Sequence, residues 1–254
     1  MITPPSSVRQ SATVAVLLLV MLSGVASSVL AQATPSAGRA TDDTAVSASA
    51  ASRDFTGALV DSFKLVMLEH LTRIVSQEKT RAELTGPFWK DYRQSIVLPR
   101  QWEDTDSWMV NYVGHPIHGA AAGIVWLDHS DKDRAASIFS PGYLASRARA
   151  AAFSAIYSVQ FEVGPLSEAS LGNVGRKPET AGWADYVVTP VGAFAFMIAE
   201  DALDRYFVRW VEDHVKNRVV RATLRLAFGP SRFLANSAEN RLPWYRPDRP
   251  LGGR

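Results

Sequence analysis

Asn111-Tyr112-Val113-Gly114-His115-Pro116-Ile117-His118-Gly119 opens an Ala- and Gly-rich helix, and how this stretch is read decides the fold. Proline is favoured at the first helical position, where its missing amide would have no partner in any case, so the spacing predicts a helix from Pro116 to about His129. His115, Gly119 and Gly123 recur every fourth residue, and small residues at that spacing let a second backbone approach closely. Polar groups then fall where the apolar pattern predicts an interior. Asn111, His115 and His118 are one such set. A second runs from Glu162, in Phe161-Glu162-Val163-Gly164-Pro165, through Glu168 to Asp185, Thr189 and Gly192. Each buried polar group costs several times thermal energy unless paired, so the two sets have to answer each other in a site or a polar network.

Outward from this stretch the apolar spacing stays helical. Phe55, Leu59, Phe63, Met67, Leu71 and Ile74 predict a packing helix from about Asp54 to Gln77, ended by Gly86-Pro87. Phe88 to Trp108 reads as an aromatic-rich connector holding a short helix. Ser140 as cap and Pro141 after it predict a helix reaching Glu162, stopped by Gly164-Pro165. A Gly-rich loop from Gly172 to Gly182 leads to a helical stretch from Trp183 to His214 with a break at Thr189-Pro190. Val219 to Phe228 is one more helix, closed by Gly229-Pro230. No alternating strand pattern competes. The expected fold is all-α, a bundle of about five to six helices with Ala/Gly-rich packing faces. Two faces are Ala148-Ala151-Ala155-Ser158-Glu162 and Asp185-Thr189-Gly192-Ala199.

The N-terminus carries a positive Arg9, an apolar core from Val14 to Leu22 and the small-x-small pattern Ala31-Gln32-Ala33, which a signal peptidase cuts. Residues 1–33 are thus expected to be an export signal and 34–52, rich in Ala, Ser, Thr and Asp, a disordered leader. Cleavage would leave 254 − 33 = 221 residues, enough for one domain over 53–240. With no cysteine, an exported chain relies on its core alone. The Pro- and Arg-rich segment 241–254 reads as an extended, loosely tied tail. The apolar runs Ile117–Leu127 and Tyr186–Ala199 fall short of the roughly 20 residues that cross a bilayer, which favours a soluble or membrane-apposed bundle, the alternative being embedded half-length helices.

Two readings of the polar set stay open. In one, His115 is a general base or metal ligand, Glu162 a second acid/base or ligand and Asp185 the orienting carboxylate of a hydrolytic site acting on an envelope lipid or glycan. In the other, Asn111 and His115 cap the Pro116 helix while Glu162 and Asp185, with His118, Glu168, Thr189 and Glu200, satisfy helix ends in a structural network. No HExxH accompanies these histidines, so neither a metal nor a cofactor follows from the motif. His70 is expected on the polar side of its helix, His129 beside Asp128 and His214 at a helix end. Glu200-Asp201-x-x-Asp204 reads as an exposed face paired with Arg205 and Arg209.

The string Asn111-x-x-x-His115-Pro116-x-His118-Gly119, followed by Phe161-Glu162, Glu168, Asp185-x-x-x-Thr189-x-x-Gly192 and Glu200, resembles a bacterial family of exported proteins, domain of unknown function 3943, over about Trp102 to Glu200. Gln160-Phe161-Glu162 departs from that family's Trp-Glu-aromatic step, and Leu171 to Gly182 is an insertion before Asp185. The set is more remotely similar to small envelope proteins of the teicoplanin-resistance type. Both resemblances imply an envelope location.

Charge is uneven. From Arg205 onward eleven Lys/Arg stand against four Asp/Glu, a surplus of +7, whereas the whole chain carries +2. Arg218, Arg221 and Arg225 form a stripe suited to anionic lipid or an acidic envelope partner, the alternative being a solvated face balanced by Glu212 and Asp213. Nucleic acid is not an expected partner of an exported chain.

Overall fold

The computed structural model describes residues 53–251 apart from 77, 97 and 172–178. The export signal with its cut after Ala33, the leader 34–52 and most of the Gly-rich loop lie outside the described residues. Within them the chain is all-α and forms no strand; Gln101 and Gly182 make an isolated parallel bridge.

Helix α1 spans Phe55–Ser76, α2 Glu78–Glu83 and α3 Phe88–Ser95. A wider, π-type turn at Val110–Gly114 runs straight into α4, His115–Asp128, which is followed by the short α5, Asp131–Ala135. Helix α6 is Tyr143–Val163 and α7 Ala184–Leu203; a second π-type turn, Asp204–Val208, leads to α8, Arg209–His214. The chain ends in α9, Arg218–Ala227, and α10, Pro230–Ala238.

Helix α4 is the axis of the molecule. A helix apolar on every side has to be enclosed, and α1, α6, α7 and α10 surround this one. Close approach is possible because glycines meet the neighbours. A Cβ on Gly119 would stand 2.6 Å from Thr189 Cγ2 and 2.9 Å from the Thr189 carbonyl, and one on Gly192 would stand 2.7 Å from Pro116 Cβ. Around this contact Leu65, Val66, Ala121, Phe153, Tyr157 and Phe161 form one apolar cluster. Ile124, Val125, Leu127, Ala193, Met197 and Ala235 form a second.

Several expectations need correction. Pro190 does not break α7. Its ring removes the helical hydrogen bond to the Tyr186 carbonyl, but packing on α4 holds the helix together. Helix α6 starts not from Ser140 but after Gly142, whose φ of +83° suits a residue without a side chain. Gly229-Pro230 follows the end of α9 as expected, but Pro230 also opens a further helix, α10; Asn111 caps nothing, because it lies inside the π-type turn. The expected small-residue stripes hold at Ser158 and Glu162 and at Asp185, Thr189 and Gly192, but Ala148 and Ala199 are exposed; the buried side chains continue through Tyr143-Arg147-Ala150-Ser154 and Ala193-Met197-Glu200.

The largest correction concerns which sides face inward. On α1 the apolar stripe is largely outward, with Leu59 62 % and Leu71 57 % exposed, while Ala58, Ser62, Leu65, Val66, Glu69, His70 and Arg73 are buried. His70 is therefore interior, its Nε2–H donating to the Leu166 carbonyl at 2.5 Å. Arg225 is buried too, donating to Glu212 Oε1 at 2.5 Å and to the Trp244 carbonyl at 3.0 Å, so it is no part of a surface stripe; Arg218 is exposed and Arg221 half-buried. Glu200 is buried under α10 and accepts the amide of Ser231 at 2.9 Å, and Asp201 accepts from Tyr143 and Arg147. The tail is irregular but not loose: Arg246 is buried and pairs with Asp204, and Arg249 holds Glu212 at 2.6 Å.

Candidate functional site

Five segments deliver polar side chains to one place. Asn111, His115 and His118 come from the π-type turn and first turn of α4, where Pro116 starts the helix. Glu162 closes the last turn of α6, and the turn after it carries Glu168; this turn is strained at Leu166, whose φ of +139° a branched residue adopts only under tertiary constraint. Asp185 and Thr189 come from the first turns of α7, Glu69 and Arg73 from α1, and Asp104 and Asp106 from the connector before α4.

The structure brings His115, Glu162 and Asp185 together. His115 Nε2 is 3.5 Å from Asp185 Oδ1, and its Nδ1 is 3.9 Å from Glu162 Oε1, all three residues being buried. These are contacts without hydrogen bonds. Glu162 Oε1, Asp185 Oδ1, Thr189 Oγ1 and Asn111 Oδ1 find no hydrogen-bond partner among the described residues. Around them, Asn111 Nδ2 donates to Asp104 Oδ1 at 2.7 Å, and Asp104 in turn shares a side-chain hydrogen bond with Asp185. Tyr157 donates to Glu69 Oε2 at 2.7 Å, and His118 Nδ1 lies 3.6 Å from the other Glu69 oxygen. Arg73 pairs with Glu168 and lies 3.6 Å from Asp106. Glu200 is elsewhere, at the base of α10, and takes no part.

Burial sets the protonation of the cluster. It pushes the His115 ring down to about 3, helped by the charges of His118 and Arg73, so the imidazole is neutral with free lone-pair capacity. Burial also raises Glu162, against the pull of Arg73, and raises Asp185, with the nearby charge of Glu162 adding to it. Glu69 is raised by burial as well. Five carboxyl groups, from Glu69, Asp104, Asp106, Glu162 and Glu168, thus crowd one guanidinium, that of Arg73, and Asp185 joins them through Asp104 and His115. Such a set either holds extra protons or takes up a cation.

Space beside His115 is small. A cavity of about 10 Å³, lined by His115, His118, Glu69, Tyr157, Phe161 and Thr189, has room for about one water. A larger cleft, about 660 Å³, lies between Asp128, Arg147, Asp201, Arg209 and Arg232, on the side of α4 where its C-terminus lies. Sequence reasoning found the His115, Glu162 and Asp185 centre but not Glu69, Arg73, Asp104 or Asp106. The signal for α1 was present, because Glu69 and Arg73 continue the helical spacing of Ser62, Leu65 and Val66. No family model, curated protein or solved structure matches this chain.

Proposed function

We propose that this is an exported protein of the cell envelope, a membrane-apposed bundle of about five to six principal helices that rests on lipid through its outer face and is braced by the buried polar network. The observation that carries this reading is an inverted distribution of polarity. Glu69, His70, Arg73, Asn111, Glu168, Asp185 and Arg225 are buried, while Leu71, Ile156, Val191, Tyr206 and Trp210 are each more than half exposed. Large exposed apolar surfaces on a folded chain need a cover, and lipid is the one consistent with an export signal and with the resemblance to the exported family of domain 3943.

The end of the α7–α8 run has the makings of a lipid contact. Leu203, Tyr206, Phe207 and Trp210 are exposed there beside the exposed Arg205, Arg209, Lys216 and Arg218, an aromatic and basic combination that suits the headgroup level. The continuous helix Ala184–His214 is 31 residues, long and apolar enough by length and composition to cross a bilayer. Its polar residues favour lying against lipid instead, since Asp185, Thr189, Glu200 and Asp201 are all engaged with the bundle rather than with a membrane. The hydrolase alternative has its His and two carboxylates in contact, but the space at His115 takes a water and no acyl or glycosyl group. An envelope protein seated on the same face is the other partner compatible with this surface.

Flotation with lipid vesicles tests the reading. The chain should float with vesicles rich in phosphatidylglycerol and less with phosphatidylcholine, each basic contact near an anionic surface being worth about 1 kcal/mol. Phe207→Ser with Trp210→Ser should abolish flotation and Arg218→Glu should weaken it. A chain that stays at the bottom with both vesicle types, while intact mass shows export and a mature start at Thr34, would leave a protein partner as the cover and overturn the lipid reading.

A further inference from the structure

We propose that His115, Glu162 and Asp185 bind one divalent transition-metal ion, zinc or manganese, inside the bundle, with the water-sized cavity beside Thr189 housing its exchangeable ligand. The proposal is independent of whether the outer face meets lipid.

Three observations carry it. One ligand atom from each of the three residues can be chosen so that all lie within 4.8 Å of one another. Bonds of about 2.0–2.2 Å to nitrogen and oxygen place tetrahedral ligands of one ion about 3.4 Å apart, so the most separated pair has to close by up to about 1.4 Å, within reach of side-chain rotation. Next, the facing atoms Glu162 Oε1 and Asp185 Oδ1 are buried, aimed at the ring and without a hydrogen-bond partner among the described residues, as is Thr189 Oγ1 on the cavity wall. Leaving several such atoms unanswered is costly, and a cation answers them at once. Finally, the nearest fixed cation, Arg73, acts on Glu162 only at a distance, its contacts being with Glu168 and, at 3.6 Å, Asp106. One imidazole among carboxylates favours a borderline ion over calcium, which takes oxygen ligands, and the buried histidine would supply its nitrogen as the neutral ring.

Two other groups pass the same distance criterion: Asp106 and Glu168 with the same His115, whose carboxylates already face Arg73, and Asp61, His129 and Glu239. In the latter both Glu239 oxygens also lack a hydrogen bond among the described residues, but fixed cations stand beside the carboxylates, with Lys64 on Asp61 at 2.7 Å, Arg241 on Glu239 at 2.7 Å and His129 Nε2 3.0 Å from Asp61. That cluster serves as the internal control.

The full chain, stripped with chelator, is titrated calorimetrically with zinc chloride and with manganese chloride, and bound metal is counted by elemental analysis. One ion per chain is expected. Asp185→Asn and His115→Gln should each lower its affinity by more than about 100-fold, beyond the loss seen when only a supporting residue is removed, while Asp61→Asn leaves it unchanged. Absence of saturable binding for both ions, unchanged affinity in Asp185→Asn, or loss in Asp61→Asn instead would each overturn the proposal. Should Asp185→Asn fail to fold by circular dichroism, the unsubstituted chain decides. Loaded with manganese, its pulsed electron-spin spectrum should show coupling to one histidine nitrogen, and a spectrum without nitrogen coupling refutes the site.

Discussion

Gly119→Ala puts the packing of α4 against α7 to a direct test. Two effects oppose each other. Alanine is favoured over glycine in a helix interior by about 1 kcal/mol, which alone would stabilise the chain. The added methyl, however, would sit 2.6 Å from Thr189 Cγ2, 2.9 Å from the Thr189 carbonyl and 3.2 Å from Ala193 Cβ. Overpacking costs typically about 1–3 kcal/mol, and the upper end applies here because a helix backbone, not a flexible side chain, must retreat. The clash therefore wins by about 2 kcal/mol, which for a domain of this size is a fall in Tm of roughly 4–8 °C. Gly123→Ala is the matched control. Its methyl meets Met197 Sδ at 2.9 Å, Met197 Cε at 3.2 Å and Ser154 Oγ at 3.2 Å, a mobile thioether end and a hydroxyl. The thioether yields cheaply, so the net change should lie within about 1 kcal/mol of zero. Thermal and urea unfolding followed by far-ultraviolet circular dichroism read both variants. If Gly119→Ala is as stable as the parent, or if Gly123→Ala falls equally, the close approach of α4 and α7 at Thr189 is wrong.

Two further outcomes follow from groups buried away from that contact. Arg225→Ala should lose about 3 kcal/mol by urea midpoint, at the low end for a broken buried ion pair because Arg249 also holds Glu212; Glu212→Gln in the same chain should recover part of it, and a neutral result would return Arg225 to the surface. His70 is held down to about 4 from its ordinary 6.5, first by burial, so the folded state binds fewer protons than the unfolded between these values. Its contribution is fully present above pH 6.5 and is lost as pH falls through 4. The stability gap between the parent and His70→Gln should therefore shrink by about 3 kcal/mol over that acid range, and a gap independent of pH would show that His70 is not buried neutral.

How much of the site was legible follows from where its members lie in sequence. Asn111, His115, Glu162 and Asp185 could be singled out because each interrupts a run of apolar or small residues, and a polar group in such a run needs an answer wherever the chain goes. Arg73, Asp104 and Asp106 were not legible, because an arginine at the end of a helix and acids in a connector look solvated until another segment covers them.

Most of the helices were legible in the sequence, though not the short Asp131–Ala135 or Pro230–Ala238. Their signals are local: spacing near 3.6, the proline at 116 and the glycine–proline pairs between segments. Only the tertiary structure decided which side of each helix faces inward. Helix α1 offers two candidate faces, one lined by Leu59 and Leu71 and the other by Leu65, Glu69 and Arg73, and hydrophobicity favours the first. The second is buried because Tyr157, His118 and Glu168 wait on α6, α4 and the turn after α6 to pair with it, partners up to 95 residues away. Tail residues Arg246 and Arg249 tell the same story, since their charge alone reads as solvated and only Asp204 and Glu212, brought beside them by α8 and the π-type turn before it, hold them in. Periodicity is a property of one segment, whereas the pairing that makes a buried charge tolerable belongs to two.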